Sequence, residues 1–166
     1  METSEPALVI GAQSREAFWF LGTLATIRID AASTGGRYAM FEVLLPKAAA
    51  PPLHTHPQDE TFIVVDGRMC VWIGDTVQRC EAGTIIGAPG GTPHTFFVES
   101  ETARVLTLSV PAGIERLVTL LGTPALTLTL PPDDDEYPSR PEIDAAFAAC
   151  DMKILGPAPT EAPLIL

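Results

Sequence analysis

An antiparallel all-β barrel or sandwich is the architecture this sequence calls for. Two observations predict it. Between residues 18 and 110, short apolar or alternating runs rich in Val, Ile, Leu, Thr and Phe are separated by clusters of Gly, Pro and Asp, the signature of strands that turn back on one another. Spacing typical of helices begins only after Pro111, so the helices follow the β core. A length of 166 residues suits one domain with one hydrophobic core.

Taken in order, the candidate strands are residues 18–29, 38–45, 52–56, 60–66, 69–73, 77–80, 85–88, 94–98 and 103–110. The pair 69–73 and 77–80 closes around Gly74-Asp75, a two-residue hairpin turn. That register sets Cys80 opposite Met69 and Cys70 opposite Arg79, so the two thiols point to opposite faces of the sheet. With Cys150 they make an odd set without a C-x-x-C pair, which reads as reduced, buried thiols rather than a disulfide framework.

After Pro111, Ile114, Leu117, Val118 and Leu121 fall at i, i+3, i+4 and i+7, and Gly122 stands where a helix would stop. Ser139-Arg140-Pro141-Glu142 has capping-box spacing, and Ile143, Ala146, Phe147 and Cys150 repeat the apolar stripe behind it. The expected organisation is therefore an N-terminal arm (1–17), a β core (18–110), two C-terminal helices (111–155) and a Pro-rich tail (156–166). The tail is read as disordered or as an extended arm lying on a neighbour.

A net charge of −11 with no Lys/Arg cluster repels phosphate backbones and anionic membranes, which excludes nucleic acid as an expected partner. Charged residues, Pro or Gly interrupt every apolar run before the ~20 residues a helical span needs. The amino terminus also lacks the build of a secretory signal. A soluble cytoplasmic protein is expected.

Chemistry concentrates in two segments. The chain has three histidines, and all fall in Gly/Pro-punctuated stretches: His54-Thr55-His56-Pro57-Gln58-Asp59-Glu60, and the run from Gly83 to His94. On a strand, residues i and i+2 share a face. His54 and His56 therefore address one interior point, Glu60 has the same parity, and His94 closes the set from a facing strand. Three imidazoles and a carboxylate suit one divalent transition metal (Mn, Fe, Co, Ni, Cu or Zn) and leave positions open for a ligand. Asp59 has the opposite parity, which points it outward or into a loop hydrogen bond.

His-x-His-x3-Glu-x6-Gly is met by His54, His56, Glu60 and Gly67, and Gly-x5-Pro-x-Gly-x2-His by Gly83, Pro89, Gly91 and His94. These motifs resemble those of the cupin superfamily. Ala48 stands where the first motif usually begins with Gly, and Val98 where the second often ends with Asn; neither departure removes a ligand. Trp19-Phe20-Leu21-Gly22, Thr34-Gly35-Gly36, Pro111-Ala112-Gly113-Ile114-Glu115 and Ile154-Leu155-Gly156-Pro157 extend the resemblance to bacterial single-domain cupins described as quercetin 2,3-dioxygenase-like. The resemblance implies a cupin jelly-roll β-barrel with the metal inside and the two short C-terminal helices packed outside.

It also implies a metal-dependent dioxygenase acting on a small enolisable or phenolic, flavonol-like substrate with O2, and a homodimer. Glu60 would be both ligand and catalytic base. Phe62, Trp72 and Phe96, with Val64, are candidates for an apolar substrate cavity. Tyr38 and Glu42 are candidates too, although strand parity equally allows them to face solvent. Two alternatives stay open: a non-redox isomerase, cyclase or lyase using the ion as Lewis acid, and a non-catalytic small-molecule binder.

Overall fold

Two antiparallel sheets face each other across a core of Leu45, Phe62, Val64, Met69, Val71, Cys80, Val98 and Val105. They are seen in a computed structural model that describes residues 7–11, 16–133 and 136–163. The seven-stranded sheet uses β1 (Glu16–Phe20), β2 (Thr23–Ile29), β3 (Ala39–Pro46), β5 (Asp59–Asp66), β8 (Ile85–Ala88), β10 (Thr102–Val110) and β11 (Thr123–Pro124), in the order β11-β1-β2-β3-β10-β5-β8. The five-stranded sheet has the order β12-β4-β9-β6-β7, from β4 (Leu53–Thr55), β6 (Arg68–Ile73), β7 (Thr76–Glu81), β9 (His94–Val98) and β12 (Lys153–Gly156). Helices α1 (Ala31–Thr34), α2 (Glu115–Leu121) and α3 (Arg140–Ala149) complete the described residues. The chain is an all-β jelly roll.

The β6–β7 register pairs Met69 with Cys80 and Cys70 with Arg79, as the Gly74-Asp75 turn requires. Cys80 joins the core between the sheets, while Cys70 takes the other face; both are buried free thiols. Burial pushes their pKa values up, so neither is a poised nucleophile. At α3 the capping box forms as expected: the Glu142 carboxylate accepts from the Ser139 backbone N–H at 2.8 Å.

The single candidate strand 18–29 is instead a hairpin, β1 and β2, with Phe20 paired to Thr23. Leu21 and Gly22 form the turn, both at positive φ (49° and 77°), as a primed two-residue turn demands. Leu-Gly is an unusual pair there, because a left-handed non-glycine residue costs roughly 1–2 kcal/mol. The short helix α1 was also not expected. The Asp30 side chain caps it by accepting from the Ser33 N–H.

The C-terminal segment is tied to its own chain. After α3, β12 pairs with β4, setting Ile154 opposite His54. The carbonyl of Pro163 then accepts from Arg79 of β7, so the described tail lies on the five-stranded sheet of the same chain. Residues 164–166 of the expected tail, and 1–6 and 12–15 of the expected N-terminal arm, lie outside the described residues. Helices α2 and α3 do more than cover an outer face. Leu117, Phe147 and Met152 pack with Phe20 of β1 and Ile154 of β12, which bridges the edges of the two sheets and closes one end of the interior. No described helix is long and apolar enough to cross a membrane.

Candidate metal centre

His54 and His94 sit directly opposite each other on β4 and β9, and His56 lies just past the end of β4 with the same parity as His54. All three are buried. Each ring is fixed from behind by a backbone carbonyl: Nδ1 of His54 donates to Pro52 O at 2.8 Å, Nδ1 of His94 to Thr92 O at 2.9 Å, and Nδ1 of His56 to Gln58 O at 3.2 Å. Spending Nδ1–H on a carbonyl selects the tautomer whose Nε2 carries a lone pair, the form a metal requires. The ligating nitrogens lie within 4.8 Å of one another.

Glu60 comes from β5 in the opposite sheet and is itself buried. Its Oε2 is 3.1 Å from His56 Nε2 and 3.3 Å from His94 Nε2. The second contact is close enough for an ion pair but poorly aimed, and His94 Nε2 is left without a hydrogen bond. A buried imidazole nitrogen with no partner is costly unless something else binds it. Convergent Nε2 atoms, locked tautomers and one orphaned nitrogen fit a divalent transition metal.

Electrostatics agree with the donor set at His54 and Glu60. Burial, followed by the proximity of His94, pulls the His54 pKa down to about 4, so this ring is a neutral ligand at ordinary pH. Burial alone would push Glu60 up, yet its close contacts with the His56 and His94 rings together outweigh it. The carboxyl lies below its usual range and is ionised at neutral pH. For His94, burial acts downward but the Glu60 carboxylate wins and raises its pKa.

Glycines in and beside the motifs hold the two segments together. Gly91 donates its N–H to His56 O at 2.7 Å, and Gly90 donates to Asp59 Oδ1 at 2.7 Å, the loop contact open to an outward Asp59. A Cβ at Gly90 would come within 2.2 Å of Pro57 O, so the loop before β9 can approach the His56 turn only with glycine there. At Gly67 a Cβ would meet Thr102 O at 2.4 Å, and φ is +86°.

A cavity of about 490 Å³ opens beside the centre, lined by all four candidate ligands and by Phe62 and Phe96. Val64 belongs to the core behind it. The other expected cavity residues lie elsewhere. Glu42 pairs with Arg104 at 2.9 Å on the outer face of β3, whose odd residues Phe41, Val43 and Leu45 face the cavity. Trp72 has the parity of Cys70, opposite to the core residues Met69 and Val71, and so is on the outer face of β6. Tyr38 precedes β3 and is not part of the lining; its carbonyl accepts from the Thr34 hydroxyl at 2.6 Å.

Much of the lining came unannounced by the motifs: Leu21 from the β1–β2 turn, and Leu117, Tyr137, Phe147 and Met152 from the C-terminal segment. No local pattern marks such residues, because only the closed fold brings them together. The ring-fixing carbonyls were more accessible to reasoning. Pro52 and Thr92 each stand two residues before a histidine, a spacing that allows a local Nδ1–H···O bond.

Residues 40–111 match the family described as the cupin domain. The chain is 27% identical over 147 residues to a quercetin 2,3-dioxygenase of Bacillus subtilis (strain 168), covering 86% of this chain and 43% of that protein. It is 44% identical over 52 residues to an acireductone dioxygenase of Cronobacter sakazakii, 29% of each chain. It thus spans less than half the length of these curated relatives. Among solved structures, an RmlC-like cupin from Shewanella frigidimarina superposes with a TM-score of 0.56 at 15% identity, over 67% of this chain and 96% of that one. With the jelly-roll fold and both histidine motifs in place, these matches support a cupin superfamily protein, with its cupin domain at residues 40–111.

Proposed function

We propose that this protein is a metal-dependent dioxygenase acting on a small enolisable or phenolic substrate of aromatic character. One observation carries the reading: three buried, tautomer-locked histidines and a buried ionised carboxylate line a cavity whose other walls are mainly apolar and aromatic. The relatives named as dioxygenases, for quercetin and for acireductone, support it.

His54, His56 and His94 would hold the ion, with Glu60 as the fourth ligand. When bound, such an ion supplies Lewis acidity toward a substrate oxygen and, for a redox-active metal, electrons for reaction with O2. The chain's own residues then have defined tasks. Phe62 and Phe96 flank an aromatic ring and keep water from the reacting face. Glu60 accepts the substrate hydroxyl proton on a carboxylate oxygen, since it is ionised and packed against the ligands. The carbonyls of Pro52, Gln58 and Thr92 keep the imidazoles aimed while that proton moves.

The test pairs metal analysis of protein purified without added metal with an oxygen-electrode screen over flavonols, diketones and catechols. Metal-dependent oxygen uptake on a member of these classes is expected. A protein that stays metal-free after reconstitution with Mn, Fe, Co, Ni and Zn would sink the proposal, and so would a metal-loaded protein inert to all three classes.

A further inference from the structure

Among the described residues, three that are not glycine hold a left-handed backbone: Leu21 (φ 49°), Ala48 (φ 63°) and Asp151 (φ 55°). Asp151 has a local reason. It follows α3, its N–H donates to Ala148 O, and the N–H of Met152 donates to Phe147 O. That is the helix-stop motif in which the residue after the cap is left-handed, a conformation Asp tolerates.

Leu21 and Ala48 sit in turns that call for positive φ, the β1–β2 hairpin turn and the turn closed by Ala49 N–H donating to Pro46 O, but neither is a residue type such turns favour. Leucine is poorly suited to the first position of a primed turn, where Asn, Asp or Gly relieve the strain. Ala48 occupies a left-handed position that a glycine would fill without cost. Both residues line the cavity. Strained backbone that breaks a local rule without structural gain points to function, and here the gain is apolar surface at the cavity wall. Leu21 is only half-buried, so it retains surface for a ligand to cover. Tyr137 and Met152, from the C-terminal segment, belong to the same cavity wall.

We infer that Leu21 is a specificity-determining residue that closes the cavity over the apolar end of a fused-ring aromatic ligand, the ligand's oxygen-bearing end facing His54, His56 and His94. Resting on the aromatic-substrate reading above, it adds the residue that measures ligand length. Ala48 assists with a smaller contact. On this proposal a single-ring ligand held at the histidines stops short of Leu21, and a fused-ring one reaches it.

The experiment uses the zinc-loaded full chain, in which no oxygen chemistry consumes the probe, and three variants: Leu21→Ala, Leu21→Asn and Ala48→Gly. Quercetin and catechol affinities are read by titration, and 1-anilinonaphthalene-8-sulfonate, which needs no metal, is titrated against His54→Ala with and without Leu21→Ala. Both Leu21 variants should weaken quercetin about tenfold, the scale of one buried aliphatic contact, and leave catechol unchanged. Leu21→Asn and Ala48→Gly should each raise Tm by roughly 2–4 °C through relief of strain, whereas Leu21→Ala should not. Quercetin bound as tightly by both Leu21 variants as by wild type overturns the inference, as does an equal loss of catechol, which would mean a general collapse of the cavity. If quercetin fails to bind wild type but the naphthalene probe binds and weakens with Leu21→Ala, the flavonol reading falls and the role of Leu21 stands. A wild-type protein that binds neither probe overturns both.

Discussion

The two sheets contribute unequally to the metal centre. All three histidines belong to the five-stranded sheet or the turn leaving it, on β4, just past β4, and on β9, whereas Glu60 stands alone on β5 of the seven-stranded sheet. Each histidine is anchored by a backbone carbonyl within two residues of itself. Among the described residues, Glu60 has only the imidazoles themselves as side-chain partners at Oε2. In the proposed function the difference separates holding from reacting: a carbonyl-anchored trio would grip the ion, and the one acid would approach from a different element, free to leave its contact without dismantling the grip.

The comparison breaks most visibly on the histidine side. His94→Ala removes a ligand from the centre of the trio, and the expected outcome is loss of nearly all bound metal by elemental analysis. Retention of stoichiometric metal would show that the five-stranded sheet does not do the holding. On the opposite sheet, Glu60→Gln should keep much of the metal while turnover per bound ion falls by about 10²–10⁴-fold, the usual range for losing a positioned general base. Activity per metal near the wild-type value would make Glu60 an anchor like the histidines and erase the distinction.

Metal should also tie the two sheets together. Because the ligands converge only in the folded state, free metal at a hundred times its Kd stabilises by about 2.7 kcal/mol, roughly 5–10 °C in Tm for a chain of this size. Adding chelator to the loaded protein should reverse that gain, and an unchanged melting curve would count against a site spanning the interior. The smallest effect concerns the helical cap that joins the sheet edges. Ser139→Ala deletes the capping hydroxyl of α3, at a cost of about 1 kcal/mol, measured by denaturant titration with metal binding unaltered.

What the sequence made legible follows from periodicity and spacing. Parity brought His54 and His56 together, because residues i and i+2 of an extended segment share a face, whereas Glu60 reaches the same point from β5 of the other sheet. The Gly74-Asp75 turn fixed the β6–β7 pairing, since a two-residue hairpin leaves no choice of register. The same reasoning stalled where parity lacked a reference. Glu42 and Trp72 sit on strands whose inward residues are odd-numbered, and nothing local says which set faces in until neighbouring strands are placed. The β1–β2 turn escaped notice because Leu-Gly is not a standard turn signal. Strand β12 did so because four residues between a helix and a Pro-rich tail carry too little alternation to read.

That last strand bears on how the centre comes into being. β4 is three residues long, and its two neighbours in the sheet are β9 and β12. During synthesis the histidines emerge well before residues 153–156, so the His54 strand has an unpaired edge until those residues have been made. Ordered synthesis therefore separates the making of the ligands from the making of the site. Metal capture in refolding experiments should track β12 docking, with a chain truncated after α3 taking up metal more weakly than the full chain; equal uptake would show that β4 is ordered by β9 alone.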